Sequence, residues 1–208
     1  MPFDLDPATE WTVLGCWLFF VAVWLAGWIY NLVRAPKIER RKLSPSIILG
    51  AVAVYAISWL IPGSVWNALW IDNAALREVG VAIVVAGTAF AMWGRVALGT
   101  MWSGTPTQRA GHELRTTGPF AIVRHPIYTG FLAMLIGTAL ACGLGSYIGP
   151  VIAGGLALFF KIRDEERLMG ETFGAQYDAY RARVPALVPL LRLRARSTSV
   201  AFRPRSEG

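Results

Sequence analysis

The sequence predicts an all-α, polytopic membrane protein with five transmembrane helices, and three observations support this prediction. Hydrophobic residues make up 55% of the 208 residues and charged residues only 16%, a balance that is too apolar for an ordinary soluble domain. Several stretches lack charge for about 20 residues, the length that a helix needs to cross a bilayer. Lys and Arg residues are concentrated in alternate loops between these stretches, as membrane topology requires.

The first three spans are predicted within a three-helix region, residues 1–98. Residues 11–33 carry no charge and form the first span. Residues 45–71 are also uncharged, but Pro62 and the glycine after it predict a helix end near residue 60, which leaves residues 64–71 at the interface. Residues 75–98 form the third span, with charged side chains only near its ends, where they reach the headgroups.

The fourth and fifth spans are predicted as a short helical hairpin. Residues 125–160 contain no formal charge, and Gly143, Gly145 and Ser146 interrupt them near the middle. Because glycine and serine cluster in turns, two short helices joined by a tight turn are expected. The hairpin belongs to a second predicted region, residues 99–189, and residues 190–208 are predicted to form a basic, disordered tail.

The distribution of charge predicts the orientation. The residues before Trp11 contain no Lys or Arg, whereas residues 34–42 contain five. The positive-inside rule then places the N-terminus outside and the C-terminus in the cytoplasm. The predicted location is the inner membrane of a bacterium. Only Arg77 among the 20 Lys and Arg residues falls outside. Orientation and anionic lipids account for the net charge of +7, so no nucleic-acid partner is predicted. The N-terminal stretch lacks a basic signal-peptide region and is expected to be a retained anchor.

A cytoplasmic amphipathic helix is predicted after the hairpin. At 100° per residue, one stripe contains the following residues: Ile162, Met169, Phe173, Tyr177, Tyr180 and Val184. Glu166 falls in the middle of that stripe. Either Arg163 or Arg167 neutralises it, or Gly170 and Gly174 interrupt the helix, or the buried carboxylate holds a cationic or hydrogen-bond-donating ligand.

Several other kinds of site are not predicted. His112 and His125 lack the spacing of a zinc motif, so no metal is expected. No nucleotide-binding glycine motif and no serine-hydrolase elbow is present. Cys16 and Cys142 lie in apolar spans, which indicates neither a disulfide nor a metal site.

The segments "GHELRTTGPFAIVRHPIYTG" and "RDEERLMGETFGAQYDAYRARVP", separated by the apolar hairpin, resemble the isoprenylcysteine carboxyl methyltransferase family, in particular its bacterial membrane relatives. The similarity covers about residues 98–189. It is specific because R-H-P-x-Y-x-G, E-E and F-G-x-x-Y-x-x-Y-x-x-x-V-P occur in order. Phe120 stands where relatives often have Tyr, so a hydroxyl role there is absent.

This resemblance implies a methyltransferase that uses S-adenosylmethionine in a cytoplasmic pocket and a lipophilic acceptor that enters from the bilayer. By the resemblance, Arg163 would face the acceptor, and Arg163 and Glu166 are the expected catalytic residues. The expected cofactor-binding residues are His112, Leu114, Gly118, Arg124, His125, Pro126, Tyr128, Glu165 and Glu166. The expected partners are the lipophilic substrate and membrane lipids.

The expected acceptor is a carboxylate, which is ionised at neutral pH and needs no general base, only orientation. An amine or phenol acceptor would instead need a base. Two rival interpretations remain open. Membrane sterol reductases have a similar C-terminal region, so Arg163 and Asp164 could serve an NADPH-dependent reductase of a steroid or other lipid. A scaffold without chemistry is the third possibility.

The pair Arg124 and His125 stands directly before Pro126, which is suited to the first turn of a helix. The N-terminus of a helix carries partial positive charge, so two cationic groups there call for an anion. A headgroup phosphate or a cofactor carboxylate is the predicted anion.

Overall fold

The computed structural model describes residues 6–34, 38–41, 50, 52–53, 56, 60–71, 73–99, 107–109 and 114–188. It confirms the helical class. The described helices are α1 (Pro7–Arg34), α2 (Gly63–Ala68), α3 (Ala74–Leu98), α4 (Pro126–Ala141), α5 (Ile148–Phe173) and α6 (Ala175–Arg183). Two short strands, β1 (Ile38–Arg41) and β2 (Thr107–Arg109), pair antiparallel, a ribbon that the sequence did not predict.

Within the described part of the chain, three helical segments are long and apolar enough to cross a membrane: Pro7–Asn31, Ala74–Leu98 and Gly145–Phe173. They confirm the first and third predicted spans as apolar helices of sufficient length, whereas the fifth, predicted as a short arm of the hairpin, is longer because its helix continues to Phe173. Helix α4 is also apolar but has 16 residues. Most of the second predicted span, within 45–60, lies outside the described residues.

Helices α3 and α4 pack in direct backbone contact. Gly80, Gly87 and Gly94 follow one another at intervals of seven on α3, and Gly130 and Gly137 do so on α4. A Cβ atom added at Gly87 would lie 2.8 Å from the carbonyl oxygen of Gly130, and one at Gly137 would lie 2.7 Å from that of Gly80. Small residues permit such close approach between membrane helices. The contact runs antiparallel and brings the start of α4 beside the end of α3.

Helix α1 covers this pair with aromatic side chains. The rings of Phe20 and Trp24 stack with centroids 4.1 Å apart, and Trp17 contacts Phe131 edge to face at 5.7 Å. The indole N–H of Trp17 donates to the hydroxyl of Thr138 at 3.0 Å. A partly buried indole N–H is therefore satisfied inside an apolar contact.

Contacts at the two ends of α3 fix the path of the chain. Beyond the C-terminal ends of α1 and α3, β1 pairs with β2. Before the N-terminal end of α3, the backbone N–H of Ile71 donates to the carbonyl oxygen of Gly143 at 3.0 Å, at the turn between α4 and α5. Oδ2 of Asp6 lies 3.7 Å from Nη1 of Arg77, so α1 and α3 begin at the same end of the bundle. Residues 41 and 71 therefore lie at opposite ends of the bundle.

The predicted amphipathic helix from Ile162 to Val184 is wrong as one continuous element. Helix α5 starts in the apolar hairpin and runs unbroken to Phe173, and Gly174 then adopts a φ of +51° and separates it from α6. A positive φ is readily accessible only to glycine, so the break is encoded at this residue. The alternative that Gly174 interrupts the helix is confirmed, whereas Gly170 lies within α5.

Candidate functional site

The start of α4 is held by a tight turn before it. Residues Gly118–Ala121 form a 3₁₀ turn in which Gly118 has a φ of +60° and Pro119 is buried. Pro126 occupies the first turn of α4, as predicted, and is also buried. Arg124 and His125 are thereby fixed between two proline-bounded turns rather than in a free loop.

The chain after α6 returns to this turn and bonds to it through the backbone. The N–H of Arg124 donates to the carbonyl oxygen of Pro185 at 2.9 Å, and the N–H of His125 donates to that of Ala186 at 3.1 Å. The hydroxyl of Thr129 donates to the carbonyl oxygen of Leu187 at 2.8 Å. The V-P end of the sequence motif therefore ties the C-terminal segment to the start of α4.

Glu166 on α5 is the anion beside Arg124. The Nε of Arg124 donates to Oε1 of Glu166 at 2.9 Å, and Nη2 donates to the same oxygen. The Nε2 of His125 lies 3.3 Å from that oxygen. Arg124 also donates to the carbonyl oxygens of Arg181 and Val184 at the end of α6. One guanidinium thus joins the start of α4, the carboxylate of α5 and the last turn of α6.

Glu165 is held by a different set of groups. The hydroxyl of Tyr128 donates to Oε1, and the Nζ of Lys161 lies 3.4 Å from the same oxygen. The Nδ1 of His125 lies 3.6 Å from Oε2, and the imidazole stacks on the ring of Tyr128 with centroids 5.6 Å apart. His125 therefore stands between the two carboxylates, with one ring nitrogen toward each. We call Arg124, His125, Tyr128, Glu165 and Glu166 the carboxylate cluster.

The cluster is largely shielded from solvent. The side chains of Glu165 and Glu166 are 19% and 20% exposed, and that of His125 is 8% exposed. Burial on its own would lower the pKa of His125, but hydrogen bonds and charge from Glu165 and then Glu166 outweigh it and raise the pKa above 6.5. Protonation of His125 is favoured because both neighbouring carboxylates gain a partner.

Two tyrosines on α6 close the cluster from the C-terminal side. Tyr177 and Tyr180 are buried, and the hydroxyl of Tyr180 donates to the carbonyl oxygen of Phe120 at 2.7 Å. Burial raises the pKa of Tyr180 to about 12 and that of Tyr177 further. Both phenols therefore remain neutral hydrogen-bonding groups at physiological pH.

The structure brings together many, but not all, of the residues predicted for the site. Leu114 and Gly118 are in the segment of chain that precedes α4, and His112 lies outside the described residues. Arg163 is exposed on α5. Glu166 pairs with Arg124, not with Arg163 or Arg167 as one interpretation of the sequence expected. The Nε of Arg167 lies instead 3.4 Å from Oε1 of Glu171.

Lys161 is the residue that the sequence reasoning did not include. It stands one helical turn before Glu165, so the spacing of four could have indicated the contact. Among the described residues, no group of three or more His, Cys, Asp or Glu side chains could hold a metal ion.

The fold and this cluster define a helical integral membrane protein in which a carboxylate pair on one helix faces a cationic start of another. Residues 80–171 match the Isoprenylcysteine carboxyl methyltransferase (ICMT) family. The resemblance inferred from the motifs is confirmed, and residues 80–171 are an ICMT family region. This region contains every member of the carboxylate cluster.

Curated relatives match beyond this region. The chain is 33% identical over 150 residues to the nickel-cobalt-cadmium resistance protein NccN of Alcaligenes xylosoxydans xylosoxydans, covering 71% of this chain and 65% of that protein. It is 31% identical over 123 residues to protein-S-isoprenylcysteine O-methyltransferase B of Arabidopsis thaliana, covering 59% and 61%. It is 30% identical over 166 residues to methanethiol S-methyltransferase 2 of Bradyrhizobium diazoefficiens, covering 74% and 62%. The chain thus spans less than two thirds of the length of each of these relatives.

Proposed function

We propose that the protein is an S-adenosylmethionine-dependent methyltransferase that acts on a lipophilic acceptor at the cytoplasmic surface of a bacterial inner membrane. The observation that carries the proposal is the carboxylate cluster, which lies wholly inside the family region. Residues far apart in sequence, at the start of α4 and along α5, converge there at the end of the apolar stretch.

The donor set of the cluster fits this cofactor. S-adenosylmethionine carries an ammonium, a carboxylate and a sulfonium, and the cluster offers partly exposed carboxylates together with a guanidinium and an imidazole. Carboxylates accept from an ammonium, and cationic donors bind a carboxylate. The residues that would hold the cofactor are His112, Leu114, Gly118, Arg124, His125, Pro126, Tyr128, Glu165 and Glu166.

When bound, the cofactor supplies a methyl group whose bond to sulfur breaks with the electron pair left on sulfur, while an acceptor lone pair forms the new bond. The protein's part is orientation in line with that bond, which can contribute several kcal/mol, on the order of 7 or more in the best cases. Glu166 is fixed by Arg124, and Glu165 by Tyr128, so the groups that would orient the cofactor are themselves held in place.

A carboxylate acceptor suits this cluster better than one that must lose a proton. Both carboxylates already accept from cationic groups, and the raised pKa of His125 favours its protonated form, which cannot take a proton. An ionised acceptor needs no base. The exposed Arg163, one turn before Glu166, is the residue proposed to bind it, because a guanidinium can grip a carboxylate at two points. The relatives named for isoprenylcysteine and for methanethiol differ in acceptor, so the acceptor is a separate question from the reaction.

We propose the five-span topology, with the N-terminus outside and the carboxylate cluster at the cytoplasmic side. The support is that residues 41 and 71 lie at opposite ends of the bundle. Single cysteines at Ser146 and Arg183, in a chain in which Cys16 and Cys142 are replaced by Ala, test it. In intact bacterial spheroplasts an impermeant maleimide is expected to label S146C and to spare R183C until the membrane is opened. Labelling of R183C in intact cells would contradict the orientation.

The identity of the cofactor is tested by calorimetry on the detergent-purified protein. S-adenosylhomocysteine is expected to bind and NADPH is not. Binding of NADPH without binding of S-adenosylhomocysteine would overturn the proposal in favour of the reductase. The acceptor is then sought by mass spectrometry of lipid extracts from cells grown on methyl-labelled methionine, with and without the protein. A labelled lipid that depends on the protein is the expected result.

A further inference from the structure

Lys161 is a buried cation on the apolar side of the carboxylate cluster. Its side chain is 8% exposed, and its Nζ lies 3.4 Å from Oε1 of Glu165 and 5.7 Å from the ring centroid of Tyr128. It is the first formally charged residue after residues 125–160. Lys161 therefore stands where α5 leaves its apolar stretch, and its ammonium points to the cluster.

Two ordinary roles of a lysine do not explain this placement. A lysine at a membrane boundary normally extends to headgroups and water, whereas Lys161 is buried and only Arg163 and Arg167 on the same stretch of helix are exposed. A lysine four residues before a glutamate is also the weaker order for stabilising a helix through a side-chain pair. Burial of a charge costs free energy unless the charge is paired. The position is therefore explained by the carboxylate of Glu165 rather than by the helix or the lipid.

The charge of Lys161 decides the net charge around the carboxylate pair. Glu165 and Glu166 are opposed by Lys161 and Arg124, one cation to each carboxylate, before His125 is counted. Loss of Lys161 makes this site more negative by one charge, from neutral to −1 with His125 neutral and from +1 to neutral with His125 protonated. A net negative site favours a cation over a neutral molecule of the same shape, and shielding from solvent strengthens that preference.

We propose that Lys161 is a positioning residue that fixes Glu165 through their ion pair and, by its charge, limits the preference of the site for a cationic sulfonium over the neutral thioether. The inference rests on the proposed function, because it concerns the two forms of the cofactor. Limiting that preference serves turnover. A site that stabilises the sulfonium too strongly stabilises the ground state more than the transition state, in which the positive charge is already being lost.

The test is calorimetry on the full-length, detergent-purified protein at pH 8, with S-adenosylmethionine and S-adenosylhomocysteine as the two ligands. The measured quantity is the Kd of the thioether divided by the Kd of the sulfonium. Lys161→Met is expected to raise this ratio roughly five- to thirty-fold, the effect of removing a unit charge at an assumed separation of about 8 Å and an effective dielectric constant of about 20 to 40. Lys161→Arg, which keeps the charge, is expected to restore the ratio of the unchanged protein.

Arg167→Met is the matched control. It removes one positive charge from the same helix, but the side chain is 73% exposed and its field is screened by solvent. The ratio is expected to stay within twofold of the unchanged protein. Lys161→Gln repeats the test with a polar side chain if Lys161→Met does not fold.

The outcomes separate the two proposals. Equal weakening of both ligands in the Lys161→Met and Lys161→Gln variants, with no change in the ratio, would overturn this inference and leave the proposed function standing. An equal change in the Arg167→Met variant would also overturn it. Failure of the unchanged protein to bind either ligand would refute the proposed function and this inference with it.

Discussion

Arg124 and Glu166 form a charge-assisted hydrogen bond, with Nε of the guanidinium 2.9 Å from Oε1 of the carboxylate, although they lie 42 residues apart in sequence. The bond explains how a cationic side chain is accommodated at the start of α4. Arg124 stands where the helix dipole is positive, and Glu166 supplies the anion that this position requires. A cofactor carboxylate at Arg124 remains a prediction, and it would share the guanidinium with Glu166.

The pair is expected to be coupled energetically. Glu166→Gln keeps the shape of the side chain and removes its charge, whereas Arg124→Ala also uncaps the carbonyl oxygens of Arg181 and Val184. Arg124→Ala is therefore expected to be the more destabilising change. It is expected to lower the free energy of unfolding by about 3 kcal/mol, and Glu166→Gln by about 1 to 2 kcal/mol. Unfolding of both single variants and the double variant measures the coupling, expected at about 1 kcal/mol or more.

Binding data distinguish the structural role of this pair from a role in cofactor binding. Glu166→Gln is expected to weaken binding of S-adenosylhomocysteine at least tenfold in protein that remains folded. Exposed Glu171→Gln on the same helix is the control and is expected to bind as the unchanged protein does. Unaltered binding by folded Glu166→Gln would leave the carboxylate as a structural partner of Arg124 alone.

His125 is expected to make stability depend on pH. Its pKa is raised in the folded protein above the ordinary value of 6.5 because Glu165 and Glu166 outweigh the opposing effect of burial. A raised pKa contributes stability that is fully present below pH 6.5 and is lost as the pH rises through the folded value. The free energy of unfolding in detergent is therefore expected to fall between pH 6.5 and 9, by at most about 1.4 kcal/mol per pH unit.

His125→Gln provides the comparison for this pH dependence. The substituted side chain keeps hydrogen-bonding capacity but does not titrate in this range. The free energy of unfolding of the variant is therefore expected to change less between pH 6.5 and 9. The range stops short of the tyrosines, since the pKa of Tyr180 is about 12. Stability that rises with pH in the unchanged protein, or an identical fall in the variant, would rule out a raised pKa at His125.

Tyr180→Phe tests how α6 is fastened to the turn before α4. The hydroxyl of Tyr180 donates to the carbonyl oxygen of Phe120 at 2.7 Å, and both residues are buried. Loss of the donor leaves a buried carbonyl oxygen unsatisfied, which is expected to cost about 1 to 3 kcal/mol of unfolding free energy. Chemical denaturation measures it. No loss of stability would show that the carbonyl oxygen finds another partner.

The sequence predicted apolar helices of spanning length, and its motifs contain the side chains that the structure brings together in the carboxylate cluster, because both are local signals. An uncharged run predicts a span, and R-H-P-x-Y-x-G with E-E identifies a motif. Contacts between distant segments were not predictable in the same way. No local pattern around Arg124 indicates that Glu166, rather than a phosphate, lies beside it, and periodicity alone could not decide whether Gly174 would break the helix. The role of Lys161 is not evident from the sequence, because a lysine at the end of a span resembles an interface anchor until its burial is known.

The glycine contact between α3 and α4 positions the start of α4, and it too depends on a contact between segments that no local pattern predicts. A Cβ atom added at Gly130 would lie 2.5 Å from the carbonyl oxygen of Gly87, so the neighbouring backbone would have to move. Gly130→Ala is therefore expected to destabilise the protein by about 1 to 3 kcal/mol through overpacking and to weaken S-adenosylhomocysteine binding, because α4 carries Tyr128 and follows His125. Gly155→Ala on α5 is the control, since a Cβ there meets no atom within 4 Å, and alanine favours a helix by about 1 kcal/mol over glycine. The first variant is expected to melt below the unchanged protein and the second at or above it. Equal melting temperatures for Gly130→Ala and the unchanged protein would show that the two helices can separate without cost, and the start of α4 would then need another explanation for its position.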